Sequence, residues 1–196
     1  MDDTASTILL EGLRDHGNNS AWEEFERRYR TMLWSFCVKL GLQPADAQDA
    51  SQEAITAFIE AYQAGRYDRE KGRLRSWLFG IAHRKAIDIR RRRGREVVVS
   101  DKSDGSMFLG SVESPDQAGQ IWEQEWQAAV LRACMDGVRR EVNAATFEAF
   151  ELQVLHERPV EEVAGRLSMT PHAVHCAKSR VLARIRELRP VLEESW

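Results

Sequence analysis

Cysteine is sparse: Cys37, Cys134 and Cys176 are odd in number and far apart in a chain of 196 residues, which excludes a disulfide framework. No apolar run approaches the ~20 residues that a membrane-spanning helix needs. The opening residues MDDTASTILL are acidic rather than basic and lack the pattern of a secretory signal. Together these absences predict a cytoplasmic protein with no membrane insertion. Glycine and proline are scarce inside the periodic segments, and β-branched alternation is almost missing, which argues against a sheet-built fold. There is no Ser-His-Asp arrangement, no phosphate-cradling P-loop and no GxGxxG, so the sequence offers no visible catalytic chemistry. No cofactor is implied, and the expected class is a non-enzyme.

What is present is a soluble, globular composition, 43% hydrophobic and 30% charged. The net charge of −3 hides a marked asymmetry. Residues 1–65 carry 5 Lys/Arg and 11 Asp/Glu, and residues 66–95 carry 12 and 3. Residues 96–135 return to 2 and 7, and residues 136–196 are nearly balanced at 9 and 10. A strongly basic segment beside an acidic one suggests one face for nucleic acid and another for a protein.

Hydrophobic spacing predicts an all-α fold. A short helix is expected over Thr4 to Asp15, ended by Gly17-Asn18-Asn19. Ser20 is read as the cap of a longer helix with Trp22, Phe25, Tyr29, Met32, Leu33, Phe36 and Leu40 on its apolar face, closed by Gly41. Pro44 suits the first position of a helix running to Gly65. Leu74, Trp77, Leu78, Ile81, Ala82, Ala86 and Ile89 recur at three- and four-residue steps and predict a basic amphipathic helix over Arg73 to Arg95. From Gly94 to about Gly119 the periodicity stops, which reads as an interdomain linker, with Val97 to Val99 able to form a short extended piece. Amphipathic helices follow over Ile121 to Val142, with Trp122, Trp126, Val130, Leu131 and Cys134 on one side, and from Asn143 as cap to about His156, carrying Phe147, Phe150, Leu152 and Leu155. Two more follow, one after Pro159 and one after Thr170 as cap with Pro171 at the first position. The expected organisation is a helical bundle over 1–94, a linker over 95–119 and a second helical domain over 120–196.

Three constellations carry candidate function. Asp46, Asp49, Gln52 and Glu53 cluster on the acidic helix, with Asp49, Gln52 and Glu53 sharing one face; as a pattern alone this is an ordinary solvated surface. Arg90 to Arg93 could simply complement a helix dipole, but four consecutive arginines exceed what the dipole needs, and phosphate contact is the better reading. The stretch from Pro159 to Arg180 has helix-turn-helix spacing: Ala164 is small where two helices cross, Ser168-Met169-Thr170 forms the turn, and Val174 plugs the crevice. His172, His175, Cys176, Lys178, Ser179 and Arg180 are left available on its second helix, and Arg184 extends the positive charge. An ordinary helical hairpin with a basic face is the alternative. His172, His175 and Cys176 lack a fourth ligand nearby, so no metal site is expected.

Read together, these pieces resemble the two-domain, extracytoplasmic-function type of bacterial sigma factor in the sigma-70 family. Asp46 to Tyr62 (DAQDASQEAITAFIEAY) is similar to that family's DAEDLVQETFLRAW segment. Arg73 to Arg93 (RLRSWLFGIAHRKAIDIRRRR) resembles FRSWLYRIARNLALDYLRRR, and Pro159 to Arg189 resembles the family's final helix-turn-helix.

The resemblance implies a region 2 bundle over 1–94 and a region 4 helix-turn-helix domain over 120–196. Asp46, Asp49, Gln52 and Glu53 would dock on core RNA polymerase. Arg66, Tyr67, Arg69, Lys71, Arg73, Arg75, His83, Arg84, Arg90, Arg91, Arg92 and Arg93 would capture the opened minus-ten element of promoter DNA, with Tyr67 as a stacker and Trp77 in the core. Thr170, His172, His175, Cys176, Lys178, Ser179, Arg180 and Arg184 would read the minus-thirty-five element. An anti-sigma factor is a further partner that the resemblance admits. Two departures stand out: His83-Arg84 replace the family's Arg-Asn, and Ala50-Ser51 replace Leu-Val in the docking motif, which predicts a looser local core. The other functional class open at this point is a stand-alone helix-turn-helix regulator that does not bind polymerase.

Overall fold

The computed structural model describes residues 11–15, 17–68, 70, 73–100 and 114–195, with the side chains of 94–100, 115, 194 and 195 excepted. Among the described residues every regular element is helical. In chain order they are α1 (Asn19–Lys39), α2 (Pro44–Gln63), α3 (Leu74–Ser100), α4 (Pro115–Glu141), α5 (Ala144–Phe150), a π-helical turn (Glu151–Leu155), α6 (Val160–Leu167) and α7 (Pro171–Ser195). No helix among them is long and apolar enough to cross a membrane. The chain divides into two compact units, one ending at Gln127 and the other beginning at Ala128. That division falls inside α4, later in the chain than the expected start of the second domain at residue 120.

The first unit is built on α1. Its Phe25, Tyr29, Met32, Leu33 and Phe36 are fully or almost fully buried because spacings of three and four place them on one stripe. On α2, Ala47, Ala50 and Ala54 are completely buried; such small side chains bring the backbones of packed helices close. Phe58 fills the end of that seam and stacks on Phe25, with ring centroids 4.5 Å apart. Ala50 and Ser51, the departures from the family motif, are both buried, and the Ser51 hydroxyl donates to the Gln48 carbonyl at 2.8 Å. The exchange therefore leaves no unsatisfied polar group behind. Leu78 and Ala82 bring α3 onto the same core.

In the second unit, Ala149, Leu152, Val163, Ala164, Val174 and Ala177 form one buried cluster, with Val160, Leu167 and Met169 packed around it. Val174 is completely buried at the crossing of α6 and α7. The turn between them has Ser168 in the left-handed region at φ +53°. Thr170 then caps α7, its Oγ1 accepting from the Ala173 N–H at 3.1 Å. Asn143 caps α5 in the same way, accepting from the Thr146 N–H at 2.7 Å.

Several boundaries differ from the sequence expectation. Residues 4–10 of the expected first helix, and residues 101–113 of the expected linker, lie outside the described residues. The α1 cap is Asn18, whose side chain accepts from the Ala21 N–H, while the Ser20 hydroxyl donates to Asn18 Oδ1. Helix α3 does not stop at Gly94 but continues to Ser100, so no extended piece forms at Val97–Val99. Glycine's deficit of ~1 kcal/mol against alanine is too small to end a helix whose nucleation has already been met. The stops of α1 and α2, by contrast, carry a left-handed glycine, Gly41 (φ +87°) and Gly65 (φ +68°).

Helix α4 begins at Pro115 rather than Ile121. Its start is a reciprocal capping box: Gln117 N–H donates to Ser114 Oγ at 3.3 Å, and Ser114 N–H donates to Gln117 Oε1 at 3.2 Å. The single helix expected from Asn143 to His156 changes to π geometry at Glu151. Leu131 and Leu155, expected on apolar faces, are 46% and 49% exposed.

Candidate nucleic-acid interface

The acidic residues of α2 do not form one free surface. Asp46 pairs with Arg93 at 2.8 Å. Glu53 receives Lys85 at 3.2 Å and Arg92 at 2.9 Å. Gln52 Oε1 accepts from Arg30 at 3.2 Å. Asp49 is exposed and has no side-chain partner among the described residues. Burial pushes the Glu53 carboxyl up, but hydrogen bonds from Arg92 and Lys85, with their charges, outweigh it, and the pKa lies below the ordinary value. The acidic helix is thus zipped onto the basic one along Asp46 and Glu53, leaving Asp49 and Glu60 as outward anions.

The arginine run divides by position. Arg90 donates to the carbonyl of Leu40, the C-cap residue of α1, and so satisfies an orphan acceptor at that helix end. Arg92 and Arg93 hold the α2 carboxylates while staying more than half exposed. Arg91 is exposed. Nearer the helix start, Arg73 and Arg84 are exposed and have no side-chain partner among the described residues. Arg66, in the preceding loop, is the same. Arg69 and Lys71 lie outside the described residues.

Tyr67 is half-buried and stacked on Trp77, with ring centroids 5.2 Å apart, and it also meets Tyr62 at 6.0 Å. Trp77 in turn contacts Phe58 at 5.1 Å. Expected in the core, Trp77 is only half-buried. Tyr67 and Trp77 are therefore one shelf, continuous with the bundle core and bordered in sequence by Arg66 and Arg73.

Of the candidate DNA residues, Arg75 is engaged by α4 directly and His83 only through an intervening ring. Arg75 is ion-paired with Glu123 and lies over the Trp126 ring, 5.2 Å from its centroid. His83 stacks on Phe79 at 5.5 Å and 10°, and Phe79 contacts Trp122 at 5.5 Å. Sequence reasoning missed Trp122, Glu123 and Trp126 as neighbours of this surface. The local signal was the Ser114-Pro115-Asp116-Gln117 capping box, which starts α4 early enough to bring them there.

In the second unit, His172, His175, Cys176, Ser179 and Arg180 are exposed on α7, and Lys178 is half-buried. Cys176 Sγ lies 3.5 Å from His172 Nε2. Thr170 is committed to capping. Arg184 departs from the expectation: it grips Glu141 at 2.5 and 3.1 Å and Glu187 at 2.8 Å. Those hydrogen bonds, Glu141 first, raise its pKa, and the bond from Arg184 lowers that of Glu141. This fork ties α7 to the end of α4, while Lys178, Arg180 and Arg186 keep open positive charge. Cys37 offers no reactive thiolate, because burial pushes its pKa up to about 12.

The comparisons with known proteins bear on this geometry. Residues 26–96 match the family model described as Sigma-70 region 2, which spans most of α1 and all of α2, the loop carrying Arg66 and Tyr67, and α3 through the arginine run. The chain is 23% identical over 180 residues to the ECF RNA polymerase sigma factor RpoE of Cereibacter sphaeroides, covering 92% of this chain and 94% of the relative. It is 24% identical over 144 residues to the ECF RNA polymerase sigma factor SigE of Mycolicibacterium smegmatis, covering 74% of this chain and 53% of that one. It is 31% identical over 102 residues to the ECF RNA polymerase sigma factor SigM of Bacillus subtilis, covering 52% of this chain and 60% of that one.

Proposed function

Because the chain belongs to the sigma-70 family and is an RNA polymerase sigma factor of the extracytoplasmic-function type, we propose that it directs core RNA polymerase to promoters whose two elements are read by its two units. In the first unit α2 docks on core polymerase, with Asp49 as the leading contact and Gln52 beside it. The outward face of α3 and the loop before it capture the opened minus-ten strand. Arg66, Arg73 and Arg84 supply phosphate contacts, and the Tyr67–Trp77 shelf supplies a stacking surface for an unpaired base. In the second unit α7 enters the major groove at the minus-thirty-five element, with His175, Cys176, Ser179 and Arg180 facing base edges and Lys178 near the backbone.

The observation that carries this reading is the asymmetry of the α2–α3 pair. Asp46 and Glu53 are used to hold Arg93, Arg92 and Lys85. Asp49 on one helix and Arg73 and Arg84 on the other are left unpaired among the described residues. Anionic contacts for a protein and cationic contacts for DNA therefore remain on adjoining helices. A regulator that binds duplex DNA through α7 alone has no use for either.

In vitro transcription with core polymerase and a promoter library tests the whole reading, because it reports activity and recovers the recognised sequence together. The chain is expected to support promoter-dependent initiation. Asp49→Ala with Gln52→Ala should weaken core binding in a pull-down at least several-fold while leaving the melting temperature unchanged. Unchanged core binding would reject α2 as the docking helix.

A further inference from the structure

The surface assigned above to minus-ten DNA is partly covered by the first turns of α4. Glu123 pairs with Arg75, and Trp126 lies beneath the same guanidinium. Trp122 packs edge-on against Phe36, with centroids 5.1 Å apart, and contacts Phe79, the ring on which His83 stacks. Lys39 of α1 reaches Glu125 at 2.5 Å, and Glu125 is itself buried. Two tryptophans and two glutamates of one helical segment thus hold cations and aromatics of α1 and α3.

We propose that Pro115–Gln127 is a removable cover which competes with DNA for this face, with Glu123 occupying on Arg75 the place of a backbone phosphate. The proposal rests on the DNA-capture reading of Arg75 and His83 given above. Two features make the cover exchangeable. Its polar grip is anionic, so a phosphate can replace it charge for charge on Arg75. Its apolar grip is also imperfect: Trp122 Nε1 is buried without a hydrogen-bond partner, a cost that release into water removes. The cover lowers the affinity of the free protein for single strands and leaves Arg75 available once α4 has turned away.

Two measurements on the full chain test this. In the first, fluorescence anisotropy follows binding of labelled oligo(dT) to the wild type, Glu123→Gln, Arg75→Gln and the double variant. Glu123→Gln should bind tighter by on the order of threefold to tenfold, the scale of one added phosphate contact, and the gain should vanish in the Arg75→Gln background. No gain, or a gain that persists without Arg75, overturns the cover, since the second result reflects only the loss of a nearby negative charge. In the second, hydrogen exchange across 118–127 should accelerate when oligo(dT) saturates the protein; unchanged protection also overturns it. Glu123 is half exposed on its side chain, so that variant is expected to fold, and its melting curve checks this. If the wild type initiates transcription and binds oligo(dT) with no change in exchange, the cover alone is wrong. If no variant binds oligo(dT) and initiation fails as well, the DNA-capture reading is wrong and takes this inference with it.

Discussion

Arg84 and Arg90 belong to the same basic helix and carry the same charge, yet they meet different surroundings. Arg90 closes the C-terminus of α1 through the Leu40 carbonyl, where Gly41 turns the chain at φ +87°. Arg84 points away from the bundle with no partner among the described residues. Arg84→Gln should therefore leave the melting temperature unchanged and reduce the slope of log K against log salt by about 0.7 for a single strand, the loss of one phosphate contact. Arg90→Gln should do the opposite. A charged hydrogen bond to a helix-end carbonyl is worth about 1.5–3 kcal/mol, so thermal denaturation should show a clear drop, with the salt slope retained. If the two variants behave alike, the division of the basic helix into a structural and a DNA-contacting arginine is wrong. The four-residue run looks uniform in sequence, and only the fold separates Arg90, spent on a helix end, from its more exposed neighbours.

Between α2 and α3 the ion pairs make one seam, and its pH dependence follows from Glu53. The folded-state pKa of Glu53 is lowered: burial raises it, and Arg92 and Lys85 outweigh burial. A lowered carboxylate pKa contributes stability that is present above the unfolded value, about 4.3 for a free glutamate, and is lost as pH falls through the folded value. Melting temperature should thus fall more steeply with acidification in the wild type than in Glu53→Gln, and the two curves should converge at the acid end. Parallel curves would mean that Glu53 contributes nothing to the seam.

Much at this scale was legible in the sequence. Asn143 and Thr170 read correctly as caps because a cap acts within three residues. Ala164 and Val174 read correctly as crossing residues because the turn between them is short. The start of α4 at Ser114 was equally local and was missed, since its polar first turns conceal the helix from any search for apolar periodicity. The pairings of Arg92 with Glu53 and of Arg75 with Glu123 were not legible. Charge counts predict that opposite segments attract, but not which side chain is spent on which.

For the whole molecule, the net charge of −3 no longer conflicts with DNA binding. In the first unit the surplus of the basic segment is offset locally by Asp46, Glu53 and Glu123, so the free cations are few and specifically placed. In the second unit Arg184 is likewise neutralised by Glu141 and Glu187, while Lys178 and Arg180 on the same helix are not. Since the chain divides at Gln127 and Ala128, Arg84 and Arg180 belong to separate units and share no partner. Contributions from such sites add within roughly 0.3–0.5 kcal/mol. Each of Arg84→Gln and Arg180→Gln should weaken the complex of polymerase, sigma factor and promoter by about 1–3 kcal/mol, and the double variant should show their sum. Their signatures should also differ. Arg180→Gln should relax base preference at the minus-thirty-five element in the promoter library, whereas Arg84→Gln should lower occupancy without altering that preference. A coupling energy above about 1 kcal/mol in the double variant would mean that the two promoter elements are engaged in one cooperative step, and the two units could not then be treated as independent readers.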